Sequence, residues 1–363
     1  MREAPLFPVQ RHHLEAMTDG VGIMQHAIGR RPDPAHGYCT DDVARALQVD
    51  LLHQHELGWA AVAASAGQNV HFLVEAFDPL TGRFRNFRRV DRSWVDGPGS
   101  PDSHGRAILA LGELIALAPD SRMVAAARSL FERALPAARE MTDLRARAST
   151  LVGWAAAGRA TPGGVLPDAF GVMAHDVHAR FTADTDPAWP WPEAVVTYEN
   201  GLLPRALIVS GRALHSEAMV TTGLAVLDWL IEHQVAPAGH LSPIGNGWWR
   251  RGGRKSMFDQ QPIEATALLL AAEAAFDATS DRRYLVVMER SYAWFLGAND
   301  LALDVAEPDR GGGHDGLTPS GVNTNQGAES TLMWLMAAEH IRAIRRARPA
   351  ASLLPRVLAA SPA

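Results

Sequence analysis

The chain has 363 residues, 47% of them hydrophobic and 20% charged, and a formal net charge of −6. That composition allows a large core, and it excludes the basic field that nucleic acid or an anionic lipid surface requires, so neither is expected as a partner. Cys39 is the single cysteine, so an internal disulfide is impossible and a thiolate-based zinc site is not expected, which leaves the chemistry to oxygen and nitrogen groups.

The N-terminal MREAPLFPVQRHHLEAM lacks the apolar stretch of a signal peptide, and no apolar run approaches the roughly 20 residues of a membrane span. The expectation is a soluble, cytoplasmic protein. Apolar residues at helical spacing recur along almost the whole chain, punctuated by Gly, Pro, Asp, Asn and Ser. They predict helices over 8–28, 42–57, 60–77, 102–118, 121–141, 145–158, 168–181, 199–213, 214–234, 261–278, 281–297 and 326–346. Strand-like alternation is scarce, with 82–95 (GRFRNFRRVDRSWV) as a small hairpin.

The connections alternate in character. Those leaving even-numbered helices are mostly short, such as Gly58, Pro119-Asp120 and Thr279-Ser280, whereas most of those entering them are long and rich in Trp, His, Gly and Asp. A closed ring of six helix pairs accounts for this: an all-α (α/α)6 toroid over 1–348, with a C-terminal tail over 349–363, in which the even helices line the ring and their N-termini share one mouth. AILALGELIALA, TALLLAAEAA and TLMWLMAA are apolar nearly all round, as inner helices must be, while RSLFERALPAAREM is amphipathic.

Five junctions then stand out, each a polar, often aromatic loop running into an acid or amide that opens an inner helix: GYCTDDVARAL, GPGSPDSHGRAILALG, WPEAVVTYENGLLPRAL, FDQQPIEATALLLA and NTNQGAESTLMWLMA. Helix capping explains any one of these acids, because free N–H groups and the helix dipole favour a carboxylate there. Five together mark one centre. The sixth junction, near Arg145 (RARASTLVGW), has no acid at its start and no aromatic loop, and reads as a structural sector.

A sugar ring offers apolar faces to aromatic side chains and a rim of hydroxyls to amides and charged groups. Candidate sugar-binding residues are His36, Tyr38, Trp94, His104, Arg106, Trp191, Tyr198, Trp248, Trp249, Arg251, Gln260, Gln261, Glu264, Asn325, Gln326 and Glu329. Trp154, Trp229, Trp294 and Trp334 lie within helices and read as core. Glycoside cleavage needs a protonated acid and a second carboxylate. Asp102 is the candidate acid, Asp42 the base with Asp41 beside it, and Glu199 and Asp259 are further candidates. Asp41–Arg45 and Asp102–Arg106 also have the i,i+4 spacing of ordinary helix ion pairs. His314-Asp315 sits in a glycine-rich loop that reads as a lid. Neither a metal nor a cofactor is expected, since no His pair carries accompanying carboxylates and no phosphate or dinucleotide motif is present.

The blocks GYCTDDVARAL, FRNFRRVDRSW, DSHGRAILALG, TYENGLLPRAL, GNGWWRRGG, FDQQPIEATA, GANDL and VNTNQGAEST resemble a bacterial family found alone or fused behind glycosyltransferase domains, over roughly residues 10–340. That family is similar in organisation to the six-hairpin glycosidases, which implies the same toroid and an association with a glycosyltransferase. Where it usually has Asp-Asp-Asn, this chain has Asp41-Asp42-Val43. The adjacent aspartates are also similar to the catalytic pair of bacterial α-1,6-mannanases. Three functions are expected from these features: a glycoside hydrolase or related phosphorylase first, a sugar epimerase using histidine bases such as His36, His104 or His240, and a non-catalytic carbohydrate-binding module of a glycosyltransferase system.

Overall fold

A computed structural model describes residues 3–95, 97–183 and 186–347. Its helices are α1 (His12–Met17), α2 (Thr40–Leu57), α3 (Trp59–Ala76), α4 (Pro101–Leu117), α5 (Ser121–Glu140), α6 (Leu144–Arg159), α7 (Asp168–Thr182), α8 (Leu202–Ala213), α9 (Glu217–His233), α10 (Pro262–Thr279), α11 (Arg283–Phe295) and α12 (Ala328–Arg346). The even helices pack side by side in the order α2, α4, α6, α8, α10, α12 and back to α2, closing a ring, while α3, α9 and α11 pack outside α2, α8 and α10. This is the (α/α)6 toroid.

The inner helices are buried almost all round. In α6 every residue from Ala148 to Gly158 is buried, and in α10 the whole run from Pro262 to Ala272. By contrast α5 buries only Ala127, Leu130, Phe131, Ala134 and Ala138, a single stripe at helical spacing. The tightest seam joins α4 to α6, where a Cβ on Gly112 would stand 2.0 Å from the Gly153 carbonyl oxygen, so only glycine admits that approach. Trp154, Trp294 and Trp334 are core residues as expected.

Short strands occupy the connections leading into inner helices: β1 (Met24–Ile28), β2 (Arg31–Cys39), β3 (Phe77–Asp78), β4 (Arg83–Phe84), β5 (Phe87–Arg88), β6 (Val195–Val196), β7 (Trp249–Arg250), β8 (Ala306–Glu307), β9 (Gly312–Gly313), β10 (Gly316–Thr318) and β11 (Gly321–Asn323). They form one antiparallel sheet in the order β1-β2-β5 and the pairs β3/β4, β6/β7, β8/β9 and β10/β11. The hairpin expected over 82–95 is formed only in part: β4 pairs with β3 and β5 with β2, and within the segment itself Arg88 bridges Trp94.

The first expected helix, 8–28, is the main departure. Only α1 forms, because Asp19 folds back to accept the backbone N–H of Val21 and Gly22. The chain then turns at Gly29 (φ +60°) and pairs β1 with β2. The expected His314-Asp315 lid is two hydrogen-bonded hairpins, β8/β9 and β10/β11. Residues 348–363, including the expected tail, lie outside the described residues. Among the described residues no helix is long and apolar enough to cross a membrane.

Candidate active site

The N-terminal turns of the inner helices converge on three buried arginines, each supplied by a different helix. Arg106 of α4 donates to Asp41 of α2 (2.9 Å) and to Glu199, and lies 3.9 Å from Asp102 in its own helix. Arg45 of α2 bonds Asp42 (3.0 Å) and pairs with Glu329 of α12 (2.9 Å). Arg145 of α6 donates to the Tyr198 carbonyl (2.7 Å) and Glu193 (3.0 Å), and its guanidinium covers the Tyr198 ring at 4.7 Å. The Tyr198 hydroxyl in turn donates to Asp102 at 2.5 Å.

Of the two expected helix pairs, Asp102–Arg106 is present at 3.9 Å, whereas Asp41 reaches across to Arg106 rather than along its helix to Arg45, which ties neighbouring sectors of the ring together. The sector at Arg145 is likewise corrected: Asp143 caps α6 by accepting the Ala146 N–H, and Arg145 positions Tyr198. Val43 is fully buried, so an amide side chain at this position would sit in the core.

Carboxyls outnumber guanidiniums at this mouth, so burial decides which acids keep a proton. Asp42 is desolvated and its carboxyl is pushed up to about 7, against the opposing pull of Arg45. Burial also lifts Asp102, although Arg106 and the Tyr198 hydroxyl pull it down. Glu264 is pushed up to about 7 by burial, and it accepts the backbone N–H of Glu199 and the Asn200 side-chain amide (2.8 Å). This holds Glu199 in a left-handed conformation (φ +48°), which costs energy for any residue but glycine. Burial opposes ionisation of Glu199 too, yet Arg106 and Arg45 outweigh it and depress its carboxyl below the usual range.

Asp41 and Asp42 open onto a cavity of about 350 Å³ whose wall also includes Gln25, His26, Arg45, Gln261, Asp315 and Glu329. One Asp41 oxygen is buried and has no hydrogen-bond partner among the described residues. Gln261, Glu329, Asp41 and Asp42 are therefore together, as expected. Gln25 and His26 were missed because their segment read as helix; the Gly29-Arg30 turn ahead of Pro32 and Pro34 was the available signal.

Many expected sugar contacts are instead structural. Tyr38 is 1% exposed, donates to Asp19 and packs on Phe72, and Trp94 packs on Phe72 and Arg88. His104 is buried against the Ala134 carbonyl, with its ring held near pKa 4 by desolvation. Gln260 is locked between Asp300, the Met257 carbonyl and Trp294. Gln326 is buried against Gly312 and His13, and Asn325 accepts the Gly29 N–H. Trp191 and Trp249 stack with Trp189 on Trp229 of α9, a cluster that anchors the β6/β7 loops. Arg251 pairs with Asp186 on the surface, His36 is exposed and meets His26 edge-on at 4.5 Å, and Trp248 and Asp259 are exposed at left-handed positions outside the cavity wall.

No protein-family model matches the chain, and no curated protein matches it by sequence. Solved structures do share its fold, which places it in the class of (α/α)6 toroids. Cellobiose 2-epimerase from Bacillus thermoamylovorans superposes with a TM-score of 0.67 at 13% identity, over 93% of this chain and 98% of that one. D-mannose isomerase gives 0.67 at 10% identity, over 92% and 96%. A family 76 α-mannanase from Bacteroides thetaiotaomicron gives 0.57 at 9% identity, over 85% and 87%.

Proposed function

We propose that the protein is a carbohydrate-active enzyme that cleaves a glycosidic bond, by hydrolysis or phosphorolysis, at the cavity opened by Asp41 and Asp42. The observation that carries this reading is the unequal treatment of two adjacent carboxyls at one cavity: Asp41 is ion-paired to Arg106, while Asp42 is desolvated and holds its proton to about 7. One acid to protonate the leaving oxygen and one carboxylate to act on water or the anomeric carbon is what the reaction requires. Asp42 thus takes the acid role expected of Asp102, and Asp41 the carboxylate role expected of Asp42. Glu199 and Asp102 position Arg106, and Glu329 positions Arg45. The family 76 mannanase among the structural neighbours lends support to glycan cleavage.

A glycan panel, assayed for released sugar with and without phosphate, tests it. Release that falls at least a hundredfold in Asp41→Asn and in Asp42→Asn is expected; release unaffected by either substitution overturns the assignment.

One observation favours sugar epimerisation as a second reading. His26 lines the same cavity and its pKa is lowered, by desolvation first and by His36 next, so it is neutral and able to take a proton from carbon. The epimerase and isomerase neighbours share the fold that would host such chemistry. Deuterium incorporation from solvent into a free sugar, lost in His26→Gln, would select this reading over cleavage.

A further inference from the structure

We infer that the toroid carries a second ligand site at the end opposite the candidate active site, one that takes a small molecule bearing a phosphate or carboxylate group. A cavity of about 510 Å³ enters the ring where α4, α6 and α8 end, larger than the cavity at Asp41 and Asp42 and within the usual range for ligand pockets. All six inner helices line it.

Following the inner helices toward their C-termini, Gln48, Glu113 and Arg205 come about one turn before Leu52, Leu117 and Val209, and in α10 Leu270 comes before Glu273 and Ala274, with Asp277 one turn beyond; Ala155 and Ala156 add small apolar surface, and Arg159 and Arg212 stand in the last turns, toward the opening. The alanines of α6 leave the space that larger side chains fill elsewhere in the ring.

The polar groups of the wall are unequally satisfied. Glu113 accepts from Gln48 at 2.9 Å, and Glu273 pairs with His340 at 2.8 Å. Arg205 is the exception, since its nearest carboxylate oxygen, on Glu113, is 3.9 Å away and no hydrogen bond reaches its guanidinium among the described residues. Arg159 and Arg212, the last-turn bases of α6 and α8, are exposed and have neither a hydrogen bond nor an ion pair from their side chains among the described residues. Asp277, a carboxylate beside them, is lifted by burial and by Glu273, while Arg212 and Arg159 pull it down.

Three guanidiniums with free donors thus face one cavity, one at its inner end and two toward its opening. Planar forks of this kind suit the oxygens of phosphate and carboxylate. The apolar surface between them fits the carbon skeleton of a small metabolite whose anionic group reaches Arg205.

Calorimetric titration of the intact protein with inorganic phosphate, glucose 6-phosphate and citrate tests this. Saturable binding near one equivalent is expected for at least one probe, weakened at least tenfold in Arg205→Gln and also in the exposed-residue variants Arg159→Gln and Arg212→Gln, and kept in Asp42→Asn. Preference for the phosphate probes or for citrate identifies the anionic group. Absence of saturable binding by all three overturns the proposal, as does binding that survives Arg159→Gln and Arg212→Gln or disappears in Asp42→Asn. The two surface variants keep the test valid if Arg205→Gln fails to fold, and the Asp42 variant separates this site from the proposed active site.

Discussion

Arg45, Arg106 and Arg145 at the N-terminal mouth and Arg159, Arg205 and Arg212 around the C-terminal cavity are used in opposite ways. At the N-terminal end Arg45, Arg106 and Arg145 are clamped by carboxylates from their own helix, neighbouring helices and a loop, at 2.9 to 3.0 Å for Asp41, Asp42, Glu329 and Glu193. At the C-terminal end Arg159, Arg205 and Arg212 have no hydrogen-bonding partner among the described residues. Arginines already neutralised by their neighbours cannot recruit an anion, but they hold acids in fixed geometry and in distinct protonation states. Arginines left free can recruit one. On the two proposals made above, the same residue type builds an acid–base centre at one end and a binding cavity at the other, and helix ends alone would not have separated them.

The sharpest way to break this contrast is by activity. Asp42→Asn is expected to lower turnover of a cleaved glycan by a factor of about 10² to 10⁴, the usual worth of a positioned proton donor, while Arg205→Gln leaves the rate close to that of the parent chain. Steady-state kinetics on both variants checks this, and equal losses would mean that the two ends are one functional unit. Stability should show the next largest difference. Arg106→Gln strands Asp41 and Glu199 in a buried setting and is expected to cost about 3–5 kcal/mol in urea unfolding, whereas loss of the loose 3.9 Å pair at Arg205 should cost about 1 kcal/mol or less.

The ring itself was legible because inner helices must be apolar all round and because long and short connections alternate. Every expected helix from α2 onward has its counterpart among the described residues. The first sector was not legible: LEAMTDGVGIMQHAI keeps helical spacing across Gly20 and Gly22, and only pairing with β2 makes Met24–Ile28 a strand. The acids opening inner helices could be named one by one, yet their partners could not. Arg106 and Asp41 lie 65 positions apart, and i,i+4 spacing pointed each to a neighbour in its own helix. Loop aromatics misled for a related reason. Trp189, Trp191 and Trp249 look available for a sugar until Trp229, assigned to the core, is seen to stack with them.

Protonation gives a smaller effect with a definite sign. Asp42 and Glu264, whose ordinary values are 3.8 and 4.5, are both raised to about 7 by desolvation. Between those limits the folded chain holds protons that the unfolded chain has released, so these two groups make stability fall as pH rises from about 4 to about 7. Glu199 acts in the other direction, since its depressed pKa adds stability that is lost as pH falls through the acid range. Thermal unfolding between pH 5 and 8 should show the decline on the neutral side, and Glu264→Gln should reduce its slope. A slope unchanged in that variant would place the proton elsewhere and leave the contrast between the two ends resting on geometry alone.

The smallest expected effect is the one that isolates the C-terminal cavity. Arg212 is exposed and makes no side-chain hydrogen bond or ion pair among the described residues, so Arg212→Gln alone should change stability by no more than about 0.5 kcal/mol. Ligand linkage changes that comparison: a molecule bound only by the folded chain stabilises it by about 2.7 kcal/mol at a hundred times its dissociation constant. Melting the parent chain and the variant side by side, with and without a saturating anion, should therefore give equal midpoints in the absence of anion and a higher midpoint for the parent in its presence. A variant less stable in both conditions would show that Arg212 supports the fold through packing along its aliphatic stem, and a parent unmoved by anion would remove the cavity's free arginines from the list of ligand groups.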